Sequence, residues 1–93
     1  MIKSFKDKET EKLWDKGLST RMPVEIQLRG LKKLRLIDAS TNLSDLAFPP
    51  SNQLEQLKGD RKGQHSIRIN DQYRICFMWV DNNAYDVEIV DYH

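Results

Sequence analysis

Two arginines six positions apart, Arg68 and Arg74, flank the short polar turn Asn70-Asp71-Gln72 between two β-rich stretches. With the hairpin centred on Asp71, Ile69 faces Tyr73 and Arg68 faces Arg74 on one side of a sheet. Like charges directly opposed across two strands are destabilising, so the pair calls for an anion, or for carboxylates, between them. Closing the next hairpin with Asn82-Asn83 as a two-residue loop sets Asp91 opposite Arg74. Side chains alternate along a strand, which puts His93 on the face of Asp91 and Tyr92 on the other. A one-residue slip exchanges them, and fraying at a terminus lets all three reach one groove.

Lys58, Arg61 and Lys62 come from the neighbouring strand and loop, so the cations after residue 50 all fall between Lys58 and Arg74. Gathered guanidinium forks suit a phosphodiester, because they stabilise the charge that builds on phosphorus. A histidine, with an ordinary pKa of about 6.5, can give or take a proton near neutral pH. In RNA the 2′-hydroxyl itself serves as the nucleophile, so no metal or cofactor is required. The sequence has one cysteine and two histidines, with no spacing that points to a metal cluster. The loop Lys58-Gly59-Asp60-Arg61-Lys62-Gly63 lacks the spacing of a nucleotide-binding P-loop, and no helical pattern follows it.

The elements that must position these groups can be read in order. Ile2–Phe5 is a strand candidate. A helix opens at Asp7 or Lys8 and stops at Gly17, a glycine suited to a C-cap. Pro23 stands at a natural first helical position. Behind it Val24, Leu28, Leu31, Leu34 and Ile37 recur at helical spacing, while Lys32, Lys33 and Arg35 read as a solvated helix face. Gly30, inside that helix, marks close packing or a slight bend. Residues 41–52 read as loop with one turn at Leu43–Leu46. Leu54–Leu57, His65–Ile69, Tyr73–Val80 and Ala84–Val90 are β-rich. Phe77 and Trp79 read as core, as does Trp14. The order gives an α+β fold, an N-terminal strand and two helices packed on a mostly antiparallel sheet.

Composition bounds the answer. A chain of 93 residues with 15 Lys+Arg against 14 Asp+Glu is expected to form one domain over 1–93 with an open active face rather than a deep cavity. The near-zero balance excludes gross electrostatic steering; any nucleic-acid partner must meet cations gathered locally. There is no apolar run long enough for a bilayer and no apolar signal core near Met1, so the expected location is cytoplasmic.

The stretch from Leu54 to Asn70 (LEQLKGDRKGQHSIRIN), the strand Tyr73-Arg74-Ile75 and the terminal Asp91-Tyr92-His93 resemble the HigB-type toxins of the RelE/ParE superfamily. The likeness extends over the whole chain and is strongest from Leu54 onward. It implies a toxin of a bacterial type II toxin–antitoxin system that cleaves mRNA in the ribosomal A site. It also implies a small helix-turn-helix antitoxin of the HigA type, contact with the 70S ribosome, and operator DNA reached only through the antitoxin complex. Carried onto this chain, Lys58, Arg61 and Arg74 bind the scissile phosphate. Asp91, Tyr92 and His93 complete the site, with His93 the proton-transfer group. Some HigB toxins have histidine where this chain has Glu55, which makes Glu55 a candidate base and leaves its role open. The alternatives are a toxin of this fold acting on another target such as DNA gyrase, or a weakly active member with a mainly regulatory role.

Overall fold

The computed structural model describes residues 1–19 and 21–92. The first helix, α1 (Lys8–Lys16), starts where the Asp7 side chain accepts the Thr10 N–H at 3.2 Å, satisfying one of the donors a helix leaves open at its N-terminus. It ends at Gly17, whose φ of 75° is left-handed and whose N–H donates to Leu13 O at 2.8 Å. The second helix, α2 (Val24–Ala39), follows Pro23, which sits one place earlier than expected, as the N-cap. Residues between α2 and the sheet form two 3₁₀ turns, Leu43–Ala47 and Pro50–Asn52, in place of the single turn expected there.

Four strands, β1 (Glu55–Gln56), β2 (Gln64–Arg68), β3 (Tyr73–Val80) and β4 (Asn83–Asp91), pair antiparallel in chain order. Ile2 and Phe5 make isolated parallel bridges to Ala84 and Val87 along the outer edge of β4. The segment expected as a strand is thus a pair of bridges. Beyond Phe5 the same edge is closed by α1, whose Thr10 Oγ1 accepts the Ile89 N–H at 3.0 Å.

Both helices cover one face of the sheet. Leu13, Ile26, Leu34, Ile37 and Leu46 meet Ile67, Ile69, Ile75, Phe77, Ala84 and Val87 in one core. Gly30 answers to close approach: a methyl group there would lie 3.1 Å from Ile89 Cδ1. The opposite face presents Ser66, Arg68, Arg74, Cys76 and Glu88, because strand side chains alternate. No helix among the described residues is long and apolar enough to cross a membrane.

Candidate functional site

The first hairpin has the expected register, with Arg68 opposite Arg74. The second does not. Its loop is Asp81-Asn82 rather than Asn82-Asn83, with Val80 paired to Asn83. Both loop residues have positive φ, 50° and 64°, the requirement of a tight hairpin turn with the right twist. That change alone would move the partner of Arg74 by two positions and keep Asp91 on its face. A β-bulge then intervenes: Asp86, at φ 51°, and Val87 together oppose Phe77. The added residue restores one position, so Arg74 pairs with Val90 and Tyr73 with Asp91. The bulge, more than the turn, therefore turns Tyr92 toward the arginines and Asp91 away from them. Gln72 Nε2 donates to Asp91 Oδ2 at 3.2 Å on that other side. His93 lies outside the described residues.

A cavity of about 330 Å³ opens on the arginine face, lined by Gln53, Glu55, Arg68, Asn70, Asp71, Arg74 and Tyr92. Arg74 forms its floor and is only 8% exposed. Its Nε donates to Ser66 Oγ at 2.8 Å and its Nη2 to the Gln53 carbonyl at 2.6 Å, while Glu55 Oε1 stands 3.9 Å from Nη2. Arg68 is the more exposed of the pair and leans on Asp71, whose carboxylate reaches solvent. The like-charge pair is thus accommodated by carboxylates at its two ends, with the cavity between. Tyr92 closes one side, its backbone N–H donating to Gln72 O.

The other predicted cations lie elsewhere. Lys58 and Lys62 flank a second hollow of about 250 Å³ beside β1, with Gln56, Leu57 and Gly59. Arg61 joins neither: its Nη1 is 2.6 Å from Glu88 Oε1 and 3.1 Å from Gln64 Oε1. The Glu88 hydrogen bond raises its pKa above the ordinary arginine value. A guanidinium already matched by a carboxylate is a poor candidate for the scissile phosphate.

Three residues of the site escaped sequence reading. Ser66 lies two places from Arg68 on the same face of β2, so the register already placed it near Arg74. Gln53 and Asn52 carried no such signal. Asn52 is fully buried; its Nδ2 donates to Leu46 O and Phe48 O at 3.2 and 3.0 Å, and its Oδ1 accepts from Lys33. This knot fixes the loop whose next residue, Gln53 at φ 44°, offers its carbonyl to Arg74.

His65 faces the core side, stacked on Phe77 with ring centroids 6.3 Å apart, away from the cavity. Its Nδ1 is buried without a partner, and burial pushes its pKa below the usual histidine value. The folded state therefore resists the proton that the unfolded chain accepts below about pH 6.5. The stability this residue supports is complete above that pH and declines as pH falls. Urea midpoints measured from pH 7.5 to 5.5 should drop in the parent protein and drop less in His65→Gln; equal slopes would contradict this.

A family model described as the RelE-like toxin HigB of a type II toxin–antitoxin system matches residues 3–93. The chain belongs to the HigB toxin family. It is 42% identical to Toxin HigB-1 of Vibrio cholerae over 85 residues, 90% of each chain. It is 37% identical to Endoribonuclease HigB of Proteus vulgaris over the full length of both. In fold it resembles the YoeB–YefM complex from Staphylococcus aureus, with a TM-score of 0.62 at 17% identity, covering all of this chain and 98% of that one. The RelE-type arrangement of two helices on an antiparallel sheet expected from the sequence is thus present in this chain.

Proposed function

We propose that this protein is a ribosome-dependent endoribonuclease that cleaves mRNA in the A site and so inhibits translation. The observation that carries the reading is the opposed Arg68–Arg74 pair, with Glu55 and Tyr92 around one open cavity. Support also comes from the full-length likeness to a relative named as an endoribonuclease. The scissile phosphate sits between the two arginines. The 2′-oxygen attacks phosphorus as its proton passes to a base, and the bond to the 5′-oxygen breaks as that oxygen takes a proton. The products are a 2′,3′-cyclic phosphate and a 5′-hydroxyl, with no metal or cofactor in the step.

Roles follow from position. Arg74, fixed by Ser66 and Gln53, stabilises the charge on phosphorus. Arg68 orients the substrate. Glu55 is the base, and Arg74 beside it offsets its repulsion of phosphate. Tyr92 stacks on a base or relays a proton; His93 is assigned by the family resemblance alone to protonate the leaving oxygen. Asp91 holds Gln72 and thereby the turn beside the cavity. Lys58 and Lys62 take the flanking RNA backbone. The toxin works in the cytoplasm, held in check by a HigA-like helix-turn-helix antitoxin that also carries it to operator DNA.

The test is a translation reaction programmed with a defined mRNA and followed by primer extension. New 5′ ends within the reading frame that require ribosomes are expected. Their absence, with inhibition of gyrase supercoiling instead, would replace this reading.

A further inference from the structure

The outer face of α2 carries groups that the cleavage site does not use. Val24, Leu28, Lys32 and Arg35 follow one another at spacings of four, four and three, so they share a helical face. Val24 is 72% exposed and Leu28 70%, high values for branched aliphatic side chains lying on one stripe. The stripe runs into a groove of about 460 Å³ lined by Lys32, Lys33, Arg35, Leu36 and Pro49. Its floor is largely apolar and its rim is cationic.

The charges on that rim lack counterparts. Of the helix's two carboxylates, Glu25 pairs with Arg29 at 3.3 Å, and Asp38 accepts the Ile2 N–H at 2.9 Å. Among the described residues, no carboxylate pairs with Lys32, Lys33 or Arg35. The Lys33 ammonium is held by buried Asn52, and its pKa is lowered by burial and then by Lys32, Arg29 and Arg68. A helix face with apolar residues toward one end and uncompensated cations toward the other is complementary to an amphipathic segment that is apolar and then acidic. Nucleic acid fits less well, since exposed aliphatic side chains offer neither charge for a phosphate nor an aromatic face for a base.

We infer that the Val24–Leu28–Lys32–Arg35 face of α2 and the adjoining groove dock an acidic amphipathic segment of the antitoxin. The assignment rests on the toxin–antitoxin reading above. Leu28 and Val24 meet the partner's apolar side chains, and Lys32 and Arg35 meet its carboxylates.

The experiment co-expresses the toxin with the antitoxin encoded beside it and scores growth, comparing the parent with Leu28→Asp and with the Lys32→Glu/Arg35→Glu pair. Both variants should still arrest growth when expressed alone, which shows that they fold. Both should escape neutralisation, with antitoxin affinity lowered about tenfold or more in calorimetry. For the charge pair, the parent's affinity should also fall more steeply with salt than the variant's. Neutralisation and affinity equal to the parent's would overturn the inference. So would variants that bind antitoxin normally but lose mRNA cleavage, which would give the face to ribosomal RNA. If the parent itself fails to arrest growth, the nuclease reading falls, and the calorimetric comparison still decides this one.

Discussion

Arg74→Ala will lower the rate of mRNA cleavage by about 10²–10³-fold, the usual effect of removing one well-placed donor to a developing oxyanion. The size of the loss follows from how the side chain is held. Arg74 is nearly buried, its Nε and Nη2 are committed to Ser66 Oγ and the Gln53 carbonyl, and the fork is thereby aimed before substrate arrives. Such preorganisation costs nothing at the moment of reaction. Arg74→Lys keeps the charge without the planar fork and should recover only part of the rate. Asn52→Ala should give a smaller loss, since it loosens the Gln53 carbonyl and leaves the guanidinium in place. Removing Arg74 also strands the buried Ser66 hydroxyl, at about 1–3 kcal/mol. Urea unfolding of each variant separates that structural effect from the chemical one. Cleavage by folded Arg74→Ala within threefold of the parent would contradict the role.

Phe77→Ala will give the largest loss of stability of any single truncation, about 3–5 kcal/mol. Phe77 is fully buried at the centre of β3, stacked on His65 and edge-on to Trp79 at 6.3 Å. It also stands opposite the two-residue bulge of Asp86 and Val87, so the cavity it leaves lies beside an already irregular ladder. Against the roughly 5–15 kcal/mol that holds a domain together, this is a large share. Equilibrium urea unfolding with an unchanged m-value checks it, and a loss below about 1 kcal/mol would show that the core closes around the gap.

Much of this was legible because it is written in short-range pattern. The opening at Asp7 or Lys8, the Gly17 cap and the apolar spacing of α2 fixed the helices to within a residue or two. The Asn70-Asp71-Gln72 turn gave the Arg68–Arg74 opposition directly. What failed did so for identifiable reasons. Asp81-Asn82 and Asn82-Asn83 are both plausible two-residue loops, and the sequence alone does not say which pair takes positive φ. The bulge at Asp86 carries no glycine to announce it, yet it decides whether Asp91 or Tyr92 faces the arginines. Arg61 looked like its neighbours in sequence, but Glu88 is 27 positions away, and a distant partner leaves no local trace. Asn52 and Gln53 were missed likewise, because backbone carbonyls and a buried amide act through the fold. Lys32 and Arg35 are exposed, as a solvated face requires, whereas Lys33 is half-buried on Asn52, a partner 19 positions away that leaves no local trace.

In the proposed reaction the 2′-hydroxyl of the RNA is the nucleophile, turned on phosphorus by the Arg68–Arg74 cavity. That role is tested most directly by translating an mRNA that carries a single 2′-deoxynucleotide at the position mapped as cleaved. Cleavage at that linkage should disappear, while neighbouring sites are cut as before and a 2′,3′-cyclic phosphate marks every product made. Cleavage of the 2′-deoxy linkage at the parent rate would contradict it.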